Sequence, residues 1–335
     1  MIKYVNLLIG SACNMKCGYC LQTNEKSPAD HKADPVEFAH KLADYLKGSR
    51  IERIAYWGGE PMLYWERIKA LHGTLKDEGT TPEQSTITTN GRSLTDDYVE
   101  YANANQDIFT VVSWHDGNFT DEQLSRIFRL REFSISLLIH HYQTDMWGAP
   151  GIPTFRGARD LFYSLQEKYG RYPKAAVHFL RANDGCRSDY YMTREDVDVF
   201  CKHLETVIEM ARIGDPWAAW QCSQLLYHRN KVKSRVGPMC VRDELLSVDL
   251  HGNVYACHHN YDASNITGNI FKKIIPIKAV AQLSPRRFYD SVECQNCEAL
   301  DECRGGCYTS NTHDIDCYFA KKRFALYHAM EKLFQ

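Results

Sequence analysis

From residue 3 to residue 212 the chain alternates short strand-like runs with helical stretches, and this alternation limits the fold more than any other feature. Residues 3–9 (Lys-Tyr-Val-Asn-Leu-Leu-Ile) read as a buried strand, and further strand-like runs fall at 52–57, 85–88, 108–113, 133–139 and 175–180. Helical patterns occupy 35–48, 63–77, 94–105, 120–130, 155–169 and 193–212. The first of these starts at Asp34-Pro35 and spaces Phe38, Leu42 and Leu46 along one stripe. Strands separated by helices pair in parallel through right-handed crossovers. Six such units predict an α/β fold, a partial (β/α)6 TIM-like barrel rather than a closed eightfold one. Folds of this kind place their chemistry on the loops after strand C-terminal ends.

After about residue 215 the alternation stops and Gly, Asn, Asp and Cys become frequent, which divides the chain into domains at 1–214 and 215–335. Gly252-Asn253 reads as a hairpin turn between Leu246–Leu250 and Val254–Cys257, and 318–333 reads as a terminal helix.

The chain has 335 residues, enough to bury a core without covalent staples, yet 13 of them are cysteine. No signal peptide and no run of 18 apolar residues is present, so the expectation is a cytoplasmic protein with no membrane span. A formal net charge of -2 gives no basic field, and no nucleic-acid partner is expected. In that setting spaced cysteines point to metal or catalysis rather than disulfides. They fall in two groups, three within 13–20 and seven within 240–317, with Cys186, Cys201 and Cys222 between.

Cys13-Asn-Met-Lys-Cys17-Gly-Tyr-Cys20 puts three thiols on the loop after the first strand. Thiolates suit iron–sulfur clusters and zinc alike. Three local ligands on a four-iron cube leave one iron open to chemistry; a zinc site would need a fourth ligand from elsewhere.

The spacing Cys-x-x-x-Cys-x-aromatic-Cys after a first strand resembles the radical S-adenosylmethionine superfamily. That resemblance implies a [4Fe-4S] cluster on Cys13, Cys17 and Cys20 whose open iron binds the methionine part of S-adenosylmethionine. It also places Tyr19 near the adenine. Trp57-Gly58-Gly59-Glu60-Pro61 closes the second strand and is similar to the family's Gly-Gly-Glu-Pro segment, which binds the methionine ammonium. In that role Gly58 and Gly59 would let backbone carbonyls approach, Glu60 would supply a negative acceptor, and Pro61 would end the segment. Thr88-Thr89-Asn90-Gly91 resembles the family's Thr-Asn-Gly segment, which brings Thr89 and Asn90 into the cofactor set. Ser113 matches a ribose-side serine, although Ser113-Trp114-His115-Asp116-Gly117 has one residue more than the family's Ser-x-Asp-Gly.

Cys294, Cys297, Cys303, Cys307 and Cys317 follow one another at intervals of two, five, three and nine residues, and Cys240 and Cys257 lie upstream around Gly252. This spacing resembles the SPASM extension of the same superfamily. It implies two auxiliary [4Fe-4S] clusters, three clusters in all: Cys294, Cys297, Cys303 and Cys317 on the distal one, Cys240, Cys257 and Cys307 on the proximal one. Zinc sites of a ribbon type are the alternative. Sulfatase-maturing relatives carry a further cysteine six residues before the position of Cys240, where this chain has Ser234; Cys222 or an open iron would fill the gap. Those relatives also have an aspartate base after the position of Cys257, where this chain has His258-His259. His258 is therefore the candidate base, an ordinary hydrogen-bonded histidine is the alternative, and sulfatase maturation is disfavoured.

The resemblance implies an enzyme that oxidatively modifies a peptide or protein, by thioether or carbon–carbon crosslinking. A dehydrogenase or epimerase and a non-catalytic redox module are the alternatives. It also implies an external electron donor such as flavodoxin or ferredoxin. With Cys13 so near the start, leader recognition would fall to the barrel, its extension or a separate leader-binding protein.

Overall fold

The computed structural model describes residues 1–20, 33–114, 119–139, 155–179, 187–233, 244–257, 265–272, 291–306, 310 and 312–335. In chain order the elements are β1 (Tyr4–Leu8), α1 (Pro35–Leu46), β2 (Arg53–Trp57), α2 (Trp65–Asp77), β3 (Gln84–Thr89), α3 (Asp96–Ala104), β4 (Ile108–Ser113), α4 (Asp121–Arg129) and β5 (Phe133–Ile139). They continue with α5 (Phe155–Tyr169), β6 (Lys174–Phe179), α6 (Arg194–Arg212), α7 (Pro216–Lys233), β7 (Leu245–Asp249), β8 (Asn253–Tyr255) and β9 (Ile266–Asn269). Two short helices, α8 (Val292–Gln295) and α9 (Leu300–Cys303), precede the terminal α10 (His313–Glu331). The chain forms two compact units, Met1–Ser136 with Arg242–Val280, and Leu137–Val241 with Ala281–Gln335. These units interleave in sequence, whereas the 214/215 division follows motif content.

In the first unit β1 to β5 pair in parallel in chain order, as the alternation predicts, and the sheet stays open rather than closing on itself. β7 lies on the free side of β1, parallel to it from Tyr4↔Leu245 to Leu8↔Asp249. The predicted hairpin of β7 and β8 is present, with β9 beyond it. Its parallel attachment to the first strand was not legible in sequence, because a five-residue run carries no record of its partner. The turn is held by Asp249, which is fully buried and accepts from the backbone N–H of His251 and Asn253, the Asn253 side-chain amide and the Tyr255 hydroxyl.

One face of this sheet is covered by helices and dry. Leu7, Tyr56, Ile87, Thr110 and Phe133 form a row across it and are buried throughout. The one hydroxyl among them on a small side chain, that of Thr110, is bonded to the Tyr98 hydroxyl of α3 at 2.6 Å. The alternate positions face the other way, and in β2 these, Arg53, Ala55 and Trp57, are partly exposed. Period-two alternation along a strand produces this division. Asp34 caps α1 by accepting from Val36 and Glu37 N–H, with Pro35 in the first turn, and Thr120 and Gln123 form a capping box on α4.

The second unit includes the later half of β5, where β6 is its neighbour in strand order, and the helices α5 to α10. α7 was not anticipated. Trp217, Ala218, Trp220, Cys222, Leu225 and Leu226 lie all round its circumference, so no single apolar stripe marks it as a helix. Trp217 is 2 % exposed and stacks with Phe162 of α5 at 6.3 Å. Arg229 of α7, 3 % exposed, donates to Glu302 of α9 and to Glu331 of α10.

Candidate functional site

The loop after β1 and the segment after β2 are bonded backbone to backbone. Ile9 N–H donates to Trp57 carbonyl (2.9 Å), Gly59 N–H to Gly10 carbonyl (2.9 Å) and Glu60 N–H to Ala12 carbonyl (2.8 Å). The strand ladder is thus carried on into both loops, to the residue before Cys13. Glycine is required for this closeness. A Cβ on Gly58, which has φ +154°, would lie 2.1 Å from the Gly10 carbonyl oxygen, and one on Gly59 2.2 Å from that of Ala12. The two glycines serve the cysteine loop, a neighbour that sequence reasoning did not assign them.

Glu60 is 1 % exposed and points inward. Its carboxylate accepts from the Thr89 hydroxyl (2.6 Å), Asn90 N–H (2.7 Å) and Met62 N–H (3.0 Å), which fixes the end of β3 against the end of β2. Asn90 in turn donates to Asn14 (2.6 Å), and Asn14 donates to Ser93 (2.9 Å). The end of β3 is therefore tied to the cysteine loop itself, one residue beyond Cys13. Burial raises the Glu60 carboxyl above the ordinary glutamate range, against the lowering effect of its bonds from Thr89, Asn90 and Met62.

A carboxyl raised in the folded state holds its proton more tightly folded than unfolded. Its contribution to stability is fully present below the ordinary glutamate value of 4.5 and is lost as pH rises through the shifted one. Glu60→Gln removes that slope. It also turns an amide N–H₂ toward N–H and O–H donors, so it is expected to destabilise by about 1–3 kcal/mol at neutral pH. Melting curves of both proteins from pH 4 to 8 check this, with the wild type alone showing the titration.

Three further residues support the loop. Tyr64 is buried, its hydroxyl accepts from Ala12 N–H at 2.8 Å, and its ring occupies the space a side chain at position 10 would need. Arg67 donates to the Ile9 carbonyl at 3.0 Å and lies over the Tyr64 ring. Asn14, Tyr64 and Arg67 were missed in sequence. The available signal was Tyr64 and Arg67 spaced one helical turn apart after Gly-Gly-Glu-Pro, together with Gly10 before the triad.

On this support Cys13 is exposed and Cys17 and Cys20 are partly exposed, with Cys20 N–H bonded to the Cys17 carbonyl at 3.1 Å. Tyr19 is partly buried in the same turn. Ser113 ends β4 opposite Ser136, partly exposed on the open face. His115, Asp116 and Gly117 lie outside the described residues.

Cys257 belongs to the other end of the sheet. β8 runs back antiparallel, with Tyr255 opposite Ser247. Two residues later Cys257 is therefore level with Leu245, which pairs with Tyr4 at the start of β1. The loop bearing Cys13 leaves from Leu8, so Cys257 is level with the opposite end of β1 from the start of that loop, about 13 Å along the strand at 3.3 Å per residue. Cys240, Cys307, His258 and His259 lie outside the described residues.

In the second unit Cys294, Cys297, Cys303 and Cys317 are all partly exposed. Burial raises the Cys317 thiol, Lys321 opposes this, and Cys297 and Cys294 raise it further, which makes these three sulfurs electrostatic neighbours. Cys222, by contrast, is fully buried in α7, and burial pushes its thiol up to about 11.

Among the described residues no three His, Cys, Asp or Glu side chains close on one ion. Three thiols on the anchored loop of one unit, and in the other Cys294, Cys297 and Cys303 around two short helices with Cys317 in α10, are soft donors of the kind that iron–sulfur clusters and zinc both take.

Comparison with known proteins agrees with this geometry. The family described as "Radical SAM superfamily" matches residues 7–129. A GTP 3',8-cyclase of Chlorobaculum tepidum is 34 % identical over 92 residues, covering 27 % of this chain and 26 % of that protein. A serine-type anaerobic sulfatase-maturating enzyme of Klebsiella pneumoniae is 29 % identical over 96 residues, covering 26 % and 24 %. The chain spans about a quarter of the length of these curated relatives. Among solved structures, native anSMEcpe with bound AdoMet superposes with a TM-score of 0.69 at 17 % identity, covering 99 % of this chain and 98 % of that one. Streptococcus suis SuiB bound to its precursor peptide SuiA gives 0.63 at 15 %, covering 92 % and 72 %. These likenesses extend the fold over nearly the whole chain. Residues 7–129, with the cysteine loop locked to the Gly-Gly-Glu-Pro strand end, thus match the radical SAM superfamily.

Proposed function

We propose that this protein is a radical S-adenosylmethionine enzyme that oxidatively modifies a side chain of a peptide or protein, forming a thioether or carbon–carbon crosslink. The observation that carries the reading is the interlock of residues 9–12 with residues 57–60, which presents three thiols at the C-terminal ends of parallel strands. Cys13, Cys17 and Cys20 would hold a [4Fe-4S] cluster, and S-adenosylmethionine bound there would supply a 5′-deoxyadenosyl radical for hydrogen-atom abstraction from the substrate.

The remaining work falls to the chain. Gly58 to Pro61 and Asn90 hold the cysteine loop in place and border it, with Tyr19 and Ser113 as further cofactor contacts. Removing two hydrogens from a side chain requires, beyond the abstracted atom, an acceptor for one proton and one electron. His258 is the proposed base. Cys294, Cys297, Cys303 and Cys317, and Cys240, Cys257 and Cys307, would hold auxiliary clusters able to take the electron. Cys257 and the start of the Cys13 loop lie at opposite ends of β1.

Support for a peptide substrate comes from similar folds whose structures hold peptides: anSMEcpe with AdoMet and Kp18Cys peptide, and SuiB with its precursor peptide. An external electron donor such as flavodoxin or ferredoxin and a separate leader-binding protein complete the proposed partners. Among the described residues no helix is long and apolar enough to cross a membrane.

Two measurements test this reading. Anaerobically reconstituted protein is expected to hold about twelve irons, three four-iron clusters; about four irons with bound zinc would sink the auxiliary clusters. Co-expression with a short peptide encoded beside the gene is expected to remove two hydrogens from that peptide by mass. An unchanged mass with an inverted residue would favour epimerisation, and no change with turnover of an alcohol would favour the small-molecule dehydrogenase.

A further inference from the structure

Between α2, α3 and the start of β4 in the first unit lies a polar chain that the cysteine site does not use. His72 of α2 is 3 % exposed. Its Nε2 is bonded to Asp107, the residue before β4, at 2.8 Å, and its Nδ1 to the hydroxyl of Tyr101 in α3 at 2.9 Å. Burial pushes the Asp107 carboxyl up, but its hydrogen bonds, led by that from His72, outweigh burial and hold it below the ordinary aspartate range. An ionised carboxylate only accepts, so the imidazole carries a proton at Nε2. In the neutral ring Nδ1 is then an acceptor, and the Tyr101 hydroxyl donates to it. Burial and the nearby Asp107 charge raise the Tyr101 phenol, which keeps its proton at neutral pH.

An aromatic row leads from this chain toward the cysteine loop. Trp65 is buried, and its ring centroid lies 5.2 Å from that of Tyr101. Its indole N–H donates to Asp97 at 2.5 Å, a carboxylate that also takes Lys69 at 2.8 Å. The residue before it, Tyr64, packs its ring on Gly10 and accepts from Ala12 N–H. Indole and phenol rings are among the side chains that lose one electron most readily. A phenol that has lost an electron is a strong acid, so its oxidation is easy where a base stands ready for the proton. Tyr101 has that base: a ring nitrogen within hydrogen-bond reach, backed by a carboxylate that would hold the imidazolium formed.

We propose that Tyr101 is a redox-active tyrosine, oxidised to its neutral radical with its proton passed to His72, and that it draws oxidising equivalents away from Trp65 and Tyr64. The oxidant is a one-electron acceptor of the oxygen-derived radical class, which takes the electron directly or through Trp65 and is reduced to its anion. The phenolic O–H bond breaks, the proton moves to His72 Nδ1, and the imidazolium stays paired with Asp107. A soluble thiolate returns the electron and becomes a thiyl radical, while the proton goes back from His72 to restore the phenol. This function is separate from the peptide modification proposed above and needs no bound cluster.

The test uses the full chain with accessible thiols alkylated, at about pH 8, above the ordinary histidine range. A laser flash on ruthenium tris-bipyridine with a cobalt(III) acceptor supplies the oxidant. Transient absorption reads the rate of radical formation, and electron paramagnetic resonance of freeze-quenched samples with ring-deuterated tyrosine identifies the radical. The wild type should give a tyrosyl signal that Tyr101→Phe, which keeps the ring and loses only the hydroxyl, removes. His72→Gln can still bond both neighbours but is no base, and should slow radical formation at least about a hundredfold. Deuterium oxide should slow the wild type and leave Tyr101→Phe unaffected, which decides the same point if His72→Gln does not fold. Tyr227, 57 % exposed, is the control for simple accessibility, and Tyr227→Phe should keep the signal. Peptide mapping after repeated flashes should show several-fold more oxidation of Trp65 and Tyr64 in Tyr101→Phe than in the wild type. A wild-type signal in Tyr101→Phe, its loss in Tyr227→Phe, a wild-type rate in folded His72→Gln, or unchanged oxidation of Trp65 and Tyr64 would overturn the proposal.

Discussion

Gly59→Ala is expected to reduce S-adenosylmethionine cleavage at least about a hundredfold while leaving all 13 cysteines in place. The added methyl would sit 2.2 Å from the Ala12 carbonyl oxygen and 2.5 Å from that of Ser11, and both are backbone atoms that no rotamer change can move aside. Relief requires residues 10–12 to separate from residues 58–60, which breaks the bonds from Gly59 to Gly10 and from Glu60 to Ala12. Cys13 is the next residue, so the displacement passes straight into the thiol loop. Iron content and 5′-deoxyadenosine release, measured on protein whose circular dichroism matches the wild type, check the prediction. Gly48→Ala is a suitable control: this glycine has a positive φ, +79°, and nothing lies within 4 Å of its added methyl. It should lose a little stability and no iron. Retention of full iron and activity by Gly59→Ala would show that the interlock does not position the cluster loop.

Arg229→Ala should be among the most destabilising single changes in the second unit. Arg229 is 3 % exposed and donates to Glu302, itself 5 % exposed, and to Glu331, and it lies 5.1 Å from the Tyr327 ring centroid. Removing the guanidinium leaves the Glu302 carboxylate buried without its counter-charge, a change that costs about 3–5 kcal/mol. Because Glu302 directly precedes Cys303, the loss should reach the segment that carries Cys294, Cys297 and Cys303. A fall in melting temperature, together with lower iron retention on gel filtration, is the expected outcome. The paired change Arg229→Met with Glu302→Leu should recover much of the stability, since apolar replacement of both partners removes the stranded charge. If Arg229→Ala melted within a degree of the wild type, the ion pair would have no part in holding the cysteine segment.

What could be read from sequence follows from how far each signal reaches along the chain. The strands at 108–113 and 133–139 and the helix at 155–169 carry their period within a few residues, and their predicted bounds match the structure. The Cys13–Cys20 loop, Gly58–Pro61 and Thr89–Asn90 were legible as strand-end motifs, because strand and turn lie next to each other in the chain. Roles that depend on contacts across the sheet were not legible. Nothing near Gly59 indicates that its neighbour is Ala12 rather than a ligand, and nothing near Glu60 indicates that its carboxylate turns inward to Thr89 and Asn90. The parallel pairing of β7 with β1 spans some 240 residues of intervening chain and leaves no local trace. α7 escaped notice for the opposite reason: with apolar residues on every side, its local pattern lacks the one-sided period that marks a surface helix.

The central claim is that Cys13, Cys17 and Cys20 form a radical-generating site on the loop locked to β2. Its most direct test is to reduce anaerobically reconstituted protein with dithionite in the presence of S-adenosylmethionine and quantify 5′-deoxyadenosine and methionine by liquid chromatography–mass spectrometry. The wild type should release both in equal amounts, and a Cys13→Ala, Cys17→Ala, Cys20→Ala triple variant should release neither while keeping the irons bound by the C-terminal cysteines. Fully iron-loaded wild type that yields no 5′-deoxyadenosine, or a triple variant that yields as much as the wild type, would contradict the account.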